Sequence, residues 1–141
     1  MKNEPVVIER TLKASADRVW KAISDKDQLK KWFLDLAEFK PEVGFEFSFE
    51  GGPAQHLHLC KVTKVEYGKL LQYTWRFGGL RGDSLLTFEL FQEGDSTKLI
   101  LTHAGVETFP AEEVGTKEEF AEGWSNLLDS SLKVYLGKKE D

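Results

Sequence analysis

The stretch EGWSNLLDSSLKVYL, residues 122–136, decides how the rest of the chain is read. At about 100° per residue, Phe120, Trp124, Leu127, Leu128, Val134 and Tyr135 fall on one face, and Glu118, Glu122, Asp129 and Lys133 on the other. Thr116 with Glu119 has the capping-box spacing at the start, while Gly137 followed by Lys138 and Lys139 suits a helix end. The predicted helix is therefore roughly 30 Å long. Two residues break its pattern. Ser131 sits in the middle of the apolar stripe, where a large side chain is expected. Gly123 lies inside the helix beside Trp124, which costs about 1 kcal/mol relative to Ala. A helix of this kind must lie on something, and the two small residues raise the question of whether what lies beneath is filled.

Upstream, PVVIERTL (5–12) is rich in β-branched residues and predicts a strand. SADRVWKAIS and DKDQLKKWF predict two short helices, the first capped by Ser15 and the second by Asp25 with Gln28 in a capping box. FEFSFE alternates strictly, and EGGP breaks it. HLHLCKVTKVE, LLQYTWRF, SLLTFELFQ and TKLILTH predict four more strands, joined by YGK, by GGLRGD and by the turn EGDS. Short turns between strands imply an antiparallel sheet, and helices segregated from it imply the α+β class. Six strands at about 4.8 Å each span nearly the length of the helix, so the helix can lie across the whole sheet.

The chain has 141 residues, with 24 acidic and 19 basic side chains and a formal net charge of −5. That length suits one domain spanning 1–141, and no basic run marks a nucleic-acid surface. The first residues lack a signal-peptide pattern, and no segment has the roughly 20 apolar residues of a membrane span. A single cysteine, Cys60, rules out an internal disulfide. A cytoplasmic domain, monomer or homodimer, is expected.

The element order, with ASADRVWKAISD near the start, LLQYTW at 70–75, TKLILTHAGV at 97–106 and the closing helix, resembles the helix-grip, START-like superfamily. Within it the chain resembles the homologues of the activator of the heat-shock-protein-90 ATPase. The resemblance implies a curved antiparallel six-stranded sheet wrapped around the long C-terminal helix, with two short helices after the first strand. It also implies a pocket opening between those short helices and the long one. The first strand starts at about residue 6, which leaves no room for the activator's chaperone-contacting N-terminal domain, so this expectation counts against the activator's own mode of chaperone contact.

Phased by bulky residues, Phe45, Phe47 and Phe49, then Leu71, Tyr73, Trp75 and Phe77, then Leu86, Phe88 and Leu90, and finally Leu99, Leu101 and His103 share the inner face. HLHLCKV is ambiguous; the resemblance places His58, Cys60 and Val62 inward. Such a face makes either a packed core or a ligand pocket, mostly apolar with a few orienting polar groups. The expectation is a cavity that binds a small hydrophobic or aromatic molecule. Tyr73, His58 and His103 would orient the guest, and Phe47, Trp75, Phe88, Trp124 and Leu128 would give apolar contact, with Ser131 leaving room. Trp32 and Phe33 end the second short helix and belong either to the core or to the pocket mouth.

Other chemistry is poorly supported. His56 and His58 share a strand face, but a metal needs further ligands such as His103 or Cys60, and nothing in the spacing forces them together. Cys60 reads as a buried thiol, RGD at 81–83 as a turn, and no Ser-His-Asp, phosphate-loop or HExxH pattern occurs. No cofactor or metal is expected. The alternatives are a protein-interaction role, modulating a chaperone or another partner, and an enzyme of the cyclase or hydrolase type acting on the bound molecule, with His58 as its candidate group.

Overall fold

Residues 4–51 and 55–137 are described by a computed structural model. Gly52 and Pro53 of the expected strand break, and the closing Lys138 and Lys139, lie outside the described residues. The β-branched opening forms β1 (Val6–Leu12). The Ser15 hydroxyl accepts from the Arg18 N–H at 3.2 Å and starts α1 (Ala16–Ser24). The Asp25 carboxylate accepts from the Gln28 N–H at 3.2 Å and starts α2 (Lys26–Trp32). The reciprocal half of that expected box is spent elsewhere, because Gln28 Oε1 accepts from the Tyr135 hydroxyl at 2.9 Å.

Six further strands follow: β2 (Glu46–Gly51), β3 (His56–Glu66), β4 (Leu70–Thr74), β5 (Arg76–Phe77), β6 (Leu85–Glu93) and β7 (Ser96–Ala104). All pair antiparallel in the order β1-β7-β6-β4-β3-β2, with β5 beside β3. The chain therefore adopts the α+β helix-grip arrangement, with one more strand than the six expected. LLQYTWRF is divided because Trp75 leaves the ladder, its N–H donating to the Ser84 carbonyl at 2.9 Å. Its phase survives the break: Leu71, Tyr73, Trp75 and Phe77 are all buried.

The ambiguous strand takes the inward phase for His58, Cys60 and Val62, with Leu57 and Leu59 exposed on the other side. A register shift between Val62 and Lys64 then moves the next apolar side chain to Val65. An extra residue in one strand flips the faces beyond it, which is why simple alternation fails here.

After a 3₁₀ turn at Val106–Thr108 and a short α3 (Ala111–Val114), the long helix runs as α4 (Lys117–Asn126), a π-helical segment (Leu127–Leu132) and α5 (Lys133–Gly137). Both halves of its capping box form, Thr116 Oγ1 accepting from the Glu119 N–H at 3.2 Å and Glu119 Oε1 from the Thr116 N–H at 2.9 Å. The buried residues are Trp124, Leu128, Leu132 and Leu136, four apart throughout. A regular α-helix would rotate that face by about 120° between its first and last member. The wider π turn absorbs the excess and holds all four against the sheet. Ser131 is therefore not a gap in the stripe; Leu132 fills the inner position instead, and Val134 points outward at 60% exposure.

The far end of this helix is pinned from the short helices. Arg18 Nη2 donates to the Leu136 carbonyl at 3.2 Å, and its guanidinium lies 5.6 Å from the Tyr135 ring centroid. Beneath the second half, Leu128 and Leu132 join Leu12, Trp20, Ile23, Leu71, Tyr73, Phe88, Leu99 and Leu101 in one continuous core of fully buried side chains. No helix among the described residues is long and apolar enough to cross a membrane.

Candidate functional site

Under the first half of the long helix the packing opens. A cleft of about 960 Å³ lies between β2, β3 and β5 on one side and α3 with α4 on the other, with Phe33, Leu34 and Asp35 after α2 completing it. Its walls are aromatic: Phe33, Phe49, His56, His58, Trp75, Phe77, Phe120 and Trp124. The deepest of these, His58, Trp75, Phe77 and Trp124, are buried, while Gly123 faces open space; a side chain built there would meet nothing within 4 Å. The glycine therefore does not serve close packing on a strand. It stands on the cleft lining with open space beside it.

The rings brace each other. Trp75 lies 5.2 Å from Trp124 and 6.4 Å from Phe33, centroid to centroid, and His58 stacks on Phe49 at 4.5 Å and 11°. The backbone carbonyl of His56 only accepts, so His58 Nδ1, 2.9 Å away, carries the proton. Burial pulls the His58 pKa below its ordinary value, so the imidazole on this wall is neutral. Trp75 is 5% exposed, and its indole Nε1–H has no acceptor among the described residues. Such an orphan costs about 1–3 kcal/mol.

Behind the wall a chain of hydrogen bonds fixes Trp124. Its indole N–H donates to His103 Nδ1 at 3.0 Å, so that nitrogen is unprotonated. The neutral ring must then carry its proton on Nε2, donating to Ser84 Oγ at 2.8 Å, and the Ser84 hydroxyl donates to the Trp75 carbonyl at 2.5 Å. Burial pushes the His103 pKa down to about 3. Ser84 and His103 thus touch without forming a nucleophile and its base, because the ring nitrogen facing the hydroxyl is the donor.

The expected ligand residues divide between two places. Phe33, His58, Trp75 and Trp124 are brought together on the cleft wall. Trp32 is in the core, its Nε1–H donating to the Ala22 carbonyl at 2.8 Å, so it is Phe33 that stands at the mouth. Phe47, Tyr73, Phe88 and Leu128 pack in the continuous core, His103 is spent on Trp124 and Ser84, and half-buried Ser131 lies off the cleft. Burial raises the Cys60 thiol to about 12 and the Tyr73 hydroxyl well above its ordinary value, so neither ionises near neutrality. No three His, Cys, Asp or Glu side chains among the described residues gather as a metal site.

The sequence reading missed Phe77 and Phe120 as walls, and α3 altogether. Phe77 carried the inward alternation and Phe120 the helix stripe, so both signals existed. Pro110 ahead of AEEV was the sign of α3, since proline suits a helix start. The GGLRGD link, in contrast, does not line the cleft. Thr108 Oγ1 clamps it by accepting from the Asp83 N–H and donating to the Asp83 carbonyl, each at 2.9 Å.

Several solved structures share this arrangement. Mll3558 from Rhizobium loti is 25% identical with a TM-score of 0.80, over 94% of this chain and 96% of its own. CalU16 from Micromonospora echinospora is 26% identical with a TM-score of 0.73, over 93% and 74%. DynU16, a protein of the dynemicin biosynthetic locus, is 22% identical with a TM-score of 0.78; the match covers 94% of this chain but 47% of that one. No functionally curated protein matches the chain. The family described as Activator of Hsp90 ATPase homolog 1-like protein matches residues 13–137, and the chain belongs to that family.

Proposed function

We propose that the protein binds a small aromatic or hydrophobic molecule in the cleft beside Trp124. The observation that carries this reading is the open volume of about 960 Å³ walled by eight aromatic rings, in a fold whose other half is tightly filled. Ligand sites have this size and character. Two details support it. The helix tolerates a glycine at 123 where any side chain would project into the space. The wall residue Trp75 also leaves its indole donor without an acceptor among the described residues, and because that nitrogen is closed off from the open space, only a shift of the ring would let a guest's acceptor reach it. Binding rather than turnover is favoured, because the Ser84–His103 pair is locked in an unreactive direction and Cys60 stays protonated.

The test is native mass spectrometry of the purified protein, followed by titration with flat aromatic probes read by tryptophan fluorescence. Trp75 and Trp124 lie in the wall, so an occupied cleft should quench them saturably. A probe at 100 times its Kd should also stabilise the fold by about 2.7 kcal/mol. Gly123→Trp is the control that decides the site. It fills the cleft from an exposed helix position and should abolish quenching while the fold persists. Trp124→Ala is less clean, since it also strips His103 of its donor. Quenching that survives in Gly123→Trp would place the guest elsewhere and end this reading.

A further inference from the structure

The charge on the cleft is one-sided. Asp35, Glu50, Glu112, Glu113 and Glu119 lie around it together with His56 and His58, and no Lys or Arg among the described residues does. All five acids are exposed, so they form the rim and not the floor. Glu119 is occupied by the cap of α4, but Asp35, Glu50, Glu112 and Glu113 form no ion pair among the described residues. Elsewhere on the surface some acids find cations, as in Arg10 with Asp129 at 2.7 Å and Lys98 with Glu9 at 3.2 Å. A mouth of unneutralised carboxylates repels an anionic guest and attracts a cationic one. Aromatic faces inside act in the same direction, since their electron-rich surfaces favour a cation within about 6 Å. Trp75, only 5% exposed, leaves its indole donor without an acceptor among the described residues, an independent sign that packing at the floor is incomplete.

From this, and resting on the binding reading above, we infer that the ligand is an arylalkyl amine, its aliphatic ammonium group cationic at neutral pH. Its ring lies between Phe33, Phe49, Trp75 and Trp124, and its ammonium group lies out at the acidic rim. Carboxylated aromatics of the same shape are discriminated against.

The test uses three probes that share a ring and differ in charge: 1-naphthylmethylamine, 1-naphthylmethanol and 1-naphthoate, titrated by tryptophan quenching. Exposed charge pairs are individually weak, so the amine should bind about fivefold tighter than the alcohol, and the naphthoate weakest of all. The preference should shrink in 1 M salt, where charges are screened beyond about 3 Å. It should also shrink in the Glu112→Gln/Glu113→Gln double variant, and again on adding Asp35→Asn and Glu50→Gln. Glu42→Gln/Glu66→Gln, which removes the same charge away from the cleft, should leave it unchanged. Equal affinities for the three probes, or a preference for naphthoate, would overturn the inference and leave the cleft reading standing. So would an amine preference indifferent to salt and to the rim variants. If no probe binds, or if binding persists in Gly123→Trp, both readings fail.

Discussion

His103 illustrates how a single buried residue couples the core to the cleft. It holds Trp124 through Nδ1 and Ser84 through Nε2, and both bonds require the neutral Nε2–H tautomer. Nitrogen-15 shifts of its ring should therefore report protonated Nε2 and bare Nδ1 well below pH 6. The depressed pKa also sets the sign of a stability effect. The folded ring titrates near 3 and the unfolded one near 6.5. Above 6.5 neither state binds the proton and the contribution is fully present. As pH falls from 6.5 toward 3 the unfolded state takes up a proton that the folded state refuses, and stability drops by up to about 1.4 kcal/mol per pH unit. His58, depressed in the same direction by burial, adds to this loss. In urea titrations at several pH values, His103→Asn should flatten the acid limb, and parallel profiles would sink the assignment. Gly82 makes a different demand. Its φ of +108° suits glycine, and an added Cβ would stand 2.5 Å from the Phe109 ring and 2.7 Å from the Thr108 carbonyl. Gly82→Ala should destabilise by about 1–3 kcal/mol in the same assay. Neither role was legible in the sequence. His103 read as a ligand contact because Ser84 and Trp124 lie about 20 residues away on either side, and only the folded sheet brings them to its ring.

At the scale of elements, the signals that could be read were local ones. The caps at Ser15, Asp25 and Thr116 each depend on residues within three positions, and all three side chains cap their helices, although the Gln28 half of the box expected at Asp25 does not form. The phase of the strands was legible where alternation is unbroken and failed at the Val62/Lys64 shift, which requires knowledge of the partner strand. The long helix lies between these cases. Read at 3.6 residues per turn, its stripe placed Ser131 and Tyr135 inward; the π segment moves the face one residue on, to Leu132 and Leu136. The misplaced serine was the signal of that shift, since no apolar stripe at regular pitch explained it. A testable consequence follows from the spacing. Removing one residue inside the π segment turns the buried series 124, 128, 132, 136 into steps of four, three and four, which a regular α-helix satisfies. Deletion of exposed Ser130 should therefore be tolerated, with a melting temperature within a few degrees of the parent and the cleft probes still bound. Deletion of Glu122 from the regular α4 would turn Phe120 about 100° away from its place on the wall and should weaken both stability and binding. If the two deletions prove equally harmful, the π turn is not acting as a register device.

Across the whole molecule the two halves differ in how they are held. β6 and β7 pair over nine residues each, and Leu86, Phe88, Leu99 and Leu101 on them are at most 1% exposed. The cleft side is assembled from short pieces: the link at Phe33–Asp35, the four-residue α3 and the first turns of α4. Backbone opening is cheapest where few apolar contacts are lost and the amides already face water. Amide exchange in the unliganded protein should then fall into two classes. The β6–β7 amides should exchange only through global unfolding, with protection equal to the stability measured in urea. Amides of residues 111–115 and of the segment after α2 should open locally, with free energies well below that value. A guest that bridges Phe33, Trp75 and Trp124 ties these pieces together, so a saturating aromatic probe should slow exchange on the cleft side selectively. Protection spread evenly over the sheet would mean that the probe only stabilises the fold as a whole. Protection confined to α3, Phe33–Asp35 and the start of α4 would locate the occupied site and identify the segments that must part to admit its guest.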